Sequence, residues 1–85
     1  MRKLSLIKRS NPICPACNVM QAQLEGEGIP HEIIDISAQP DAIEKLDITG
    51  VPVLIIEDDN GEHIRLTGLQ PVERIAELMK EGDNI

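Results

Sequence analysis

Lys3-Leu4-Ser5-Leu6-Ile7-Lys8, then Arg9-Ser10-Asn11-Pro12-Ile13, then Cys14-Pro15-Ala16-Cys17 is the stretch on which the fold turns. The first six residues alternate apolar and polar side chains, the period of a half-buried strand, and the run ends on the cations Lys8 and Arg9. Arg9 to Ile13 reads as a loop. Cys14-Pro15 then opens a helix, because a proline at the first helical position lacks only an N–H that would have no intrahelical partner there. The helix is expected over Pro15 to Glu25, with Ala16, Val19, Met20 and Leu24 on one core-facing stripe and Gly26 and Gly28 to end it.

Outward from this unit, Ile29-Pro30 biases the chain toward extended geometry, and the β-branched run His31 to Ile36 reads as a second strand. Strand, helix, strand implies a right-handed parallel crossover. Ser37-Ala38-Gln39-Pro40 turns the chain into a short helix over Asp41 to Leu46, carrying Ala42, Ile43 and Leu46 inward. Val53 to Glu57 reads as a buried strand. Asp58-Asp59-Asn60-Gly61 is an Asn-Gly hairpin signal, and Glu62 to Thr67 returns antiparallel with His63, Ile64, Arg65 and Leu66 alternating. Pro71 opens a last helix in which Val72, Ile75, Ala76 and Met79 follow helical spacing, before the polar tail from Lys80 to Ile85. The order β-α-β-α-β-β-α describes one α/β domain over residues 1–85, a mixed sheet with helices on both faces.

Composition narrows what such a domain does. The 85 residues are 41% hydrophobic with net charge −7 and an aromatic fraction of 0%. Ile, Leu, Val and Met are left to fill the core in place of rings, and thirteen of the residues are isoleucine. Without aromatic stacking platforms or net positive charge, nucleic acid is a poor partner. The longest aliphatic run, Val53-Leu54-Ile55-Ile56, falls far short of the roughly 20 residues of a membrane span, which points to a soluble, cytoplasmic chain; a monomer is expected. Two cysteines cannot build the multi-bridge framework of a small secreted domain, so the Cys14–Cys17 pair is chemical in purpose.

Cys14 falls at the N-cap of the first helix, where unpaired N–H groups and the positive end of the helix dipole favour a negative atom. Cys-x-x-Cys cysteines so placed have thiol pKa values of about 7 or below instead of about 8.5. Cys17 lies one turn on and more shielded, and the i, i+3 spacing lets the two sulfurs close a short disulfide. Arg2, Lys3, Lys8 and Arg9 are the only charged residues before Glu25. They read either as a cationic rim around Cys14 or as ordinary solvated strand-end cations. Thr49-Gly50-Val51-Pro52 stands at the mouth of the third strand, where parallel neighbours would bring it toward the cysteines. Pro52 either begins that strand in the ordinary trans form or follows a cis bond that turns the Val51 backbone outward to pair with an extended substrate. A zinc module would need two more ligands, and His31 and His63 lie outside metal-binding spacing. Glu57-Asp58-Asp59 and Glu77, Glu81 and Asp83 read as solvated surface.

Cys14-Pro15-Ala16-Cys17 after the first strand, Thr49-Gly50-Val51-Pro52 before the third and Thr67-Gly68-Leu69-Gln70-Pro71 after the fourth resemble the glutaredoxins of the thioredoxin superfamily over nearly the whole chain. The resemblance implies a thioredoxin-like fold, a four-stranded mixed sheet flanked by three helices, and thiol–disulfide exchange without a bound cofactor. It makes Cys14 the attacking thiol, Cys17 the resolving thiol and Pro52 a cis-proline. Lys8, Arg9, Pro15, Val51 and Gly68 join Pro52 as candidate substrate-binding residues. Ala16 stands where glutaredoxins commonly carry Tyr or Phe, and Gly68-Leu69-Gln70-Pro71 replaces the Gly-Gly-acidic element that serves glutathione. That last stretch resembles the NrdH-type redoxins, which take electrons from NADPH through thioredoxin reductase and supply ribonucleotide reductase. The implied partners are disulfide-bearing proteins and either thioredoxin reductase or glutathione as reductant. A glutathione-dependent glutaredoxin is the alternative, followed by a metal or iron–sulfur module on the same cysteines.

Overall fold

The central strands of this chain are aliphatic on both sides, and the computed structural model, which describes residues 2–61 and 63–81, places them between two layers of helix. In chain order the elements are β1 (Lys3–Lys8), α1 (Pro15–Gly26), β2 (Glu32–Asp35), α2 (Asp41–Lys45), β3 (Val53–Glu57), β4 (His63–Thr67) and α3 (Val72–Glu81). The sheet order is β2-β1-β3-β4. β1 and β2 are parallel, with Leu6 opposite Ile33, as the crossover rule requires. β3 pairs antiparallel with β1 and with β4.

This corrects one expectation. Antiparallel rather than parallel pairing carries Pro52 to the cysteine end of the sheet: the register sets Ile7 opposite Val53, so the next residues, Lys8 and Pro52, stand at the same end.

Alternation along the strands divides the core in two. Leu4, Leu6, Leu54 and Ile56 face α1 and α3, where Met20, Leu24 and Ile75 complete a fully buried cluster. Ile7, Val53 and Ile55 face the other way and pack with Ile48, Leu46 and Val51 from the α2 side. Four consecutive residues of β3, Val53 to Ile56, are buried, as the unbroken aliphatic run predicts.

The helices depart from the predicted stripes in two places. In α1 the buried positions are Cys17, Met20 and Leu24, while Val19 is 45% exposed. Cys17 rather than Val19 therefore joins Met20 and Leu24, so the buried stripe is rotated around α1 from the one the hydrophobic pattern predicts. In α2 only Ala42 is fully buried, Leu46 packs from the helix end, and Ile43 turns outward because five residues make little more than one turn. Arg65, on the outer face of β4, donates from its guanidinium to the carbonyls of Leu46 and Asp47, the latter at 3.1 Å, satisfying the open C-terminal end of α2. Asn60-Gly61 makes the expected turn, with Gly61 at φ +84° and its amide on Asp58 O at 3.1 Å. Helix α3 begins at Val72, one residue after Pro71, and Ile75 is its most buried side chain. The expected strand start at Glu62 and the tail from Gly82 to Ile85, with Asp83 of the acidic patch, lie outside the described residues.

The altered α1 stripe is testable. Met20→Ala should cost about 2–5 kcal/mol of unfolding free energy in urea titration, whereas Val19→Ala should cost less than about 0.5 kcal/mol; equal losses would contradict the assigned face.

Candidate functional site

At the start of α1 the backbone of Cys14 is extended, φ −115° and ψ 98°, the conformation of an N-cap. Its side chain takes the role normally filled by a Ser or Asp oxygen: Sγ accepts the Cys17 amide at 3.1 Å, and Cys14 O accepts the Asn18 amide at 3.1 Å. Pro15 follows at the first helical position and is exposed. Cys14 and Cys17 are joined as a disulfide with their Cα atoms 5.2 Å apart. Both cysteines are buried, Cys17 at 0% and Cys14 at 4% exposure, so the small exposure of the pair belongs to Cys14.

The second wall of the site comes from the start of β3. The Val51–Pro52 peptide is cis. Pro52 is buried and Val51 half-buried, its side chain packed with the Ile7 and Ile48 cluster. Gly68, at the end of β4, donates its amide to Pro52 O at 2.8 Å, which joins the two predicted loops directly. Its φ of +78° is a backbone position that disfavours side chains, which accounts for glycine there. Gln70 folds back so that Nε2 donates to Thr67 O at 2.8 Å.

The four early cations divide. Arg2 donates to Leu78 O at 2.6 Å and pairs with Asp58 at 3.7 Å, and Lys3 pairs with Glu32 at 3.2 Å, all at the opposite end of β1. Only Lys8 and Arg9 reach the cysteine end. Lys8 Nζ donates to Asn18 Oδ1 at 3.1 Å and Gln21 Oε1 at 2.7 Å on α1, and Arg9 Nε donates to Pro12 O at 3.0 Å within the loop. The cationic rim is thus two residues rather than four, and both hold protein groups.

A cluster unread in the sequence sits behind the loop. Ser37, in the turn after β2, contacts Ser10 and Asn11, and its own amide donates to Asp35 Oδ1 at 2.9 Å. The Asp35 carboxyl is held below its ordinary value of 3.8, first by the Ser10 hydroxyl and then by the Ser37 amide. The Asn11–Pro12 bond is also cis. The Asp-x-Ser pattern is a local signal for the 35–37 turn, but nothing in sequence links Ser37 to a loop 26 residues earlier.

Among the described residues no group of three or more His, Cys, Asp or Glu side chains is arranged to hold a metal ion. None of their helices is long and apolar enough to cross a membrane.

Comparison with known proteins agrees with this geometry. The glutaredoxin family model matches residues 4–64, which span β1 to the start of β4 and include both cysteines and Pro52. The chain belongs to the glutaredoxin family. An SPbeta prophage-derived thioredoxin-like protein, YosR of Bacillus subtilis strain 168, is 35% identical over 79 residues, covering 92% of this chain and 98% of that protein. Among solved structures, this family member resembles chloroplastic thioredoxin z, with TM-score 0.82 at 22% identity over 98% of this chain and 79% of that one. The oxidised form of mitochondrial thioredoxin 3 from Saccharomyces cerevisiae gives TM-score 0.71 at 20% identity, covering 99% and 78%. These likenesses establish a thioredoxin-like fold. The chain is a glutaredoxin- and thioredoxin-like redox protein with its two cysteines at disulfide distance.

The acid side of the site has a defined sign. With the folded-state Asp35 pKa below 3.8, its contribution to stability is complete above the unfolded value and is lost as the pH falls through the folded one. NMR titration of the Asp35 carboxyl should give a midpoint below 3.8, moving upward in Ser10→Ala; an unmoved midpoint would remove the Ser10 hydroxyl as the leading cause.

Proposed function

We propose that this protein is a cytoplasmic dithiol carrier that reduces disulfides in other proteins and is itself recharged by a flavoprotein reductase of the thioredoxin reductase type. The observation that carries the reading is the placement of Cys14: an N-cap sulfur receiving the Cys17 amide, in the less deeply buried half of the disulfide. In the reduced protein the same amide and helix terminus stabilise a Cys14 thiolate.

The reaction balances as two exchanges. The Cys14 thiolate attacks one sulfur of a substrate disulfide, forming a mixed disulfide and expelling the other substrate sulfur as thiolate. Cys17, deprotonated, then attacks Cys14 Sγ, closes the intramolecular disulfide and releases the second substrate sulfur. Substrate gains two electrons and two protons, and the carrier becomes the disulfide. NADPH restores the dithiol through the reductase.

Three features support a protein substrate and a protein reductant over glutathione. Ile13, 71% exposed, precedes Cys14, and Leu69, 50% exposed, follows Gly68, so apolar side chains flank both walls of the site in sequence. Ala16 offers no aromatic ring, and the Gln70 amide is spent on Thr67 O. The resemblance of Gly68-Leu69-Gln70-Pro71 to the NrdH-type redoxins makes ribonucleotide reductase the first acceptor to test.

Alkylation at pH 6–7 of the reduced protein should label Cys14 before Cys17. Cys17→Ser should accumulate a covalent complex with a disulfide-bearing peptide and Cys14→Ser none. In coupled assays, oxidation of NADPH should depend on thioredoxin reductase and on both cysteines. Full turnover by Cys17→Ser with glutathione would instead assign the protein to the glutathione-dependent glutaredoxins.

A further inference from the structure

The loop from Ser10 to Ile13 delivers the chain to Cys14, and all four of its residues are exposed, so burial does not hold it in place. Arg9 braces it locally through Pro12 O. Two side chains tie it to the rest of the fold: the Asp35 carboxyl, bonded to Ser10, and the hydroxyl of Ser37, which alone reaches both Ser10 and Asn11. Ser37 Oγ donates to Asn11 O at 3.1 Å and accepts the amides of Asn11 at 3.0 Å and Ser10 at 3.2 Å. A serine hydroxyl offers one donor and two acceptor positions, and all three are used on this loop. Ser37 is fixed in turn: its amide donates to Asp35 Oδ1 at 2.9 Å, and the neighbouring Ile36 amide donates to Lys8 O at 2.9 Å, where β1 ends.

We propose that Ser37 is a positioning residue for the redox centre: by clasping the Ser10–Asn11 backbone it holds Cys14 in the N-cap conformation and so sets the reactivity of the Cys14 thiolate. The inference rests on the reading of Cys14 as the attacking thiol. Sγ meets the Cys17 amide only while residue 14 stays extended ahead of α1. Loop residues that swing free would let residue 14 rotate away from the helix terminus for part of the time. The thiolate would then lose its amide donor, and the thiol pKa would climb toward that of an ordinary cysteine. Asp35 reaches the loop only at Ser10, whereas Ser37 holds the Asn11 backbone from both its amide and its carbonyl.

The test uses the full reduced chain and three forms: wild type, Ser37→Ala and Ser37→Thr. Thiolate absorbance against pH and the rate of Cys14 alkylation at pH 6 are read on protein shown to be folded by circular dichroism. Ser37→Ala should slow alkylation by about threefold to tenfold, a tenfold loss corresponding to one pKa unit. Ser37→Thr, which keeps the hydroxyl, should return to within about twofold of wild type. If Ser37→Ala lowers stability without moving the thiolate titration, the serine is merely structural and the proposal is overturned. So does a Ser37→Thr variant as slow as Ser37→Ala, because the hydroxyl would then not be the agent. Should Ser37→Ala fail to fold, amide exchange in the wild-type protein decides: the Ser10 and Asn11 amides should exchange at least about tenfold more slowly than unprotected ones, and free exchange overturns the clasp. The functional reading fails separately, if wild-type labelling goes to Cys17 first.

Discussion

The antiparallel pairing of β1 with β3 is the constraint on which the rest of the molecule hangs. It sets Ile7 against Val53 and so gathers three chain segments at one end of the sheet: the loop leaving β1, the Val51–Pro52 entry to β3 and, through the β3–β4 hairpin, Gly68. β3 is buried at four of its five positions and β1 at three of six, so a one-residue slip would exchange Leu54 and Ile56 with Val53 and Ile55 between two differently shaped half-cores. The site is therefore positioned by packing that lies entirely outside it.

Much of this was readable from residue order. The alternation in Lys3–Lys8, the aliphatic run in Val53–Glu57 and the Asn60-Gly61 turn each carry a local signal whose physics the folded chain obeys, and the strand and helix order follows. Cys14 and Cys17 were readable because a cysteine pair before a proline-led helix start has few structural uses. The misplaced features are those decided by tertiary contact. Val19 and Cys17 flank Met20 and Leu24 from opposite sides of the α1 stripe, and a hydropathy pattern favours the valine side, whereas the fold buries the sulfur. Ile43 is apolar but belongs to a helix too short to turn it inward. The direction of β3 relative to β1 depends on where α2 packs, which no local pattern encodes. The Ser37 contacts span more than 25 residues through a small polar side chain, the kind of link that composition and periodicity do not register.

Charge plays a smaller part in the site than the sequence suggested. Arg2 and Lys3 serve the far end of β1, and Lys8 and Arg9 brace α1 and the loop through neutral oxygen acceptors. The stabilisation available to a Cys14 thiolate is then dominated by the helix terminus and the Cys17 amide, short-range and oriented, which salt screens less than it would a ring of exposed cations. On the proposed reading, an acidic protein with net charge −7 carries an anionic nucleophile without surrounding it with counter-charge.

The aliphatic core has an optical corollary. With no Trp, Tyr or Phe in the chain, neither fluorescence nor aromatic near-ultraviolet absorption arises from the protein. The Cys14–Cys17 disulfide becomes its sole near-ultraviolet chromophore, seen against a dark background, so opening and closing of that bond can be followed directly, and any fluorescence that appears on mixing with another protein reports the partner alone.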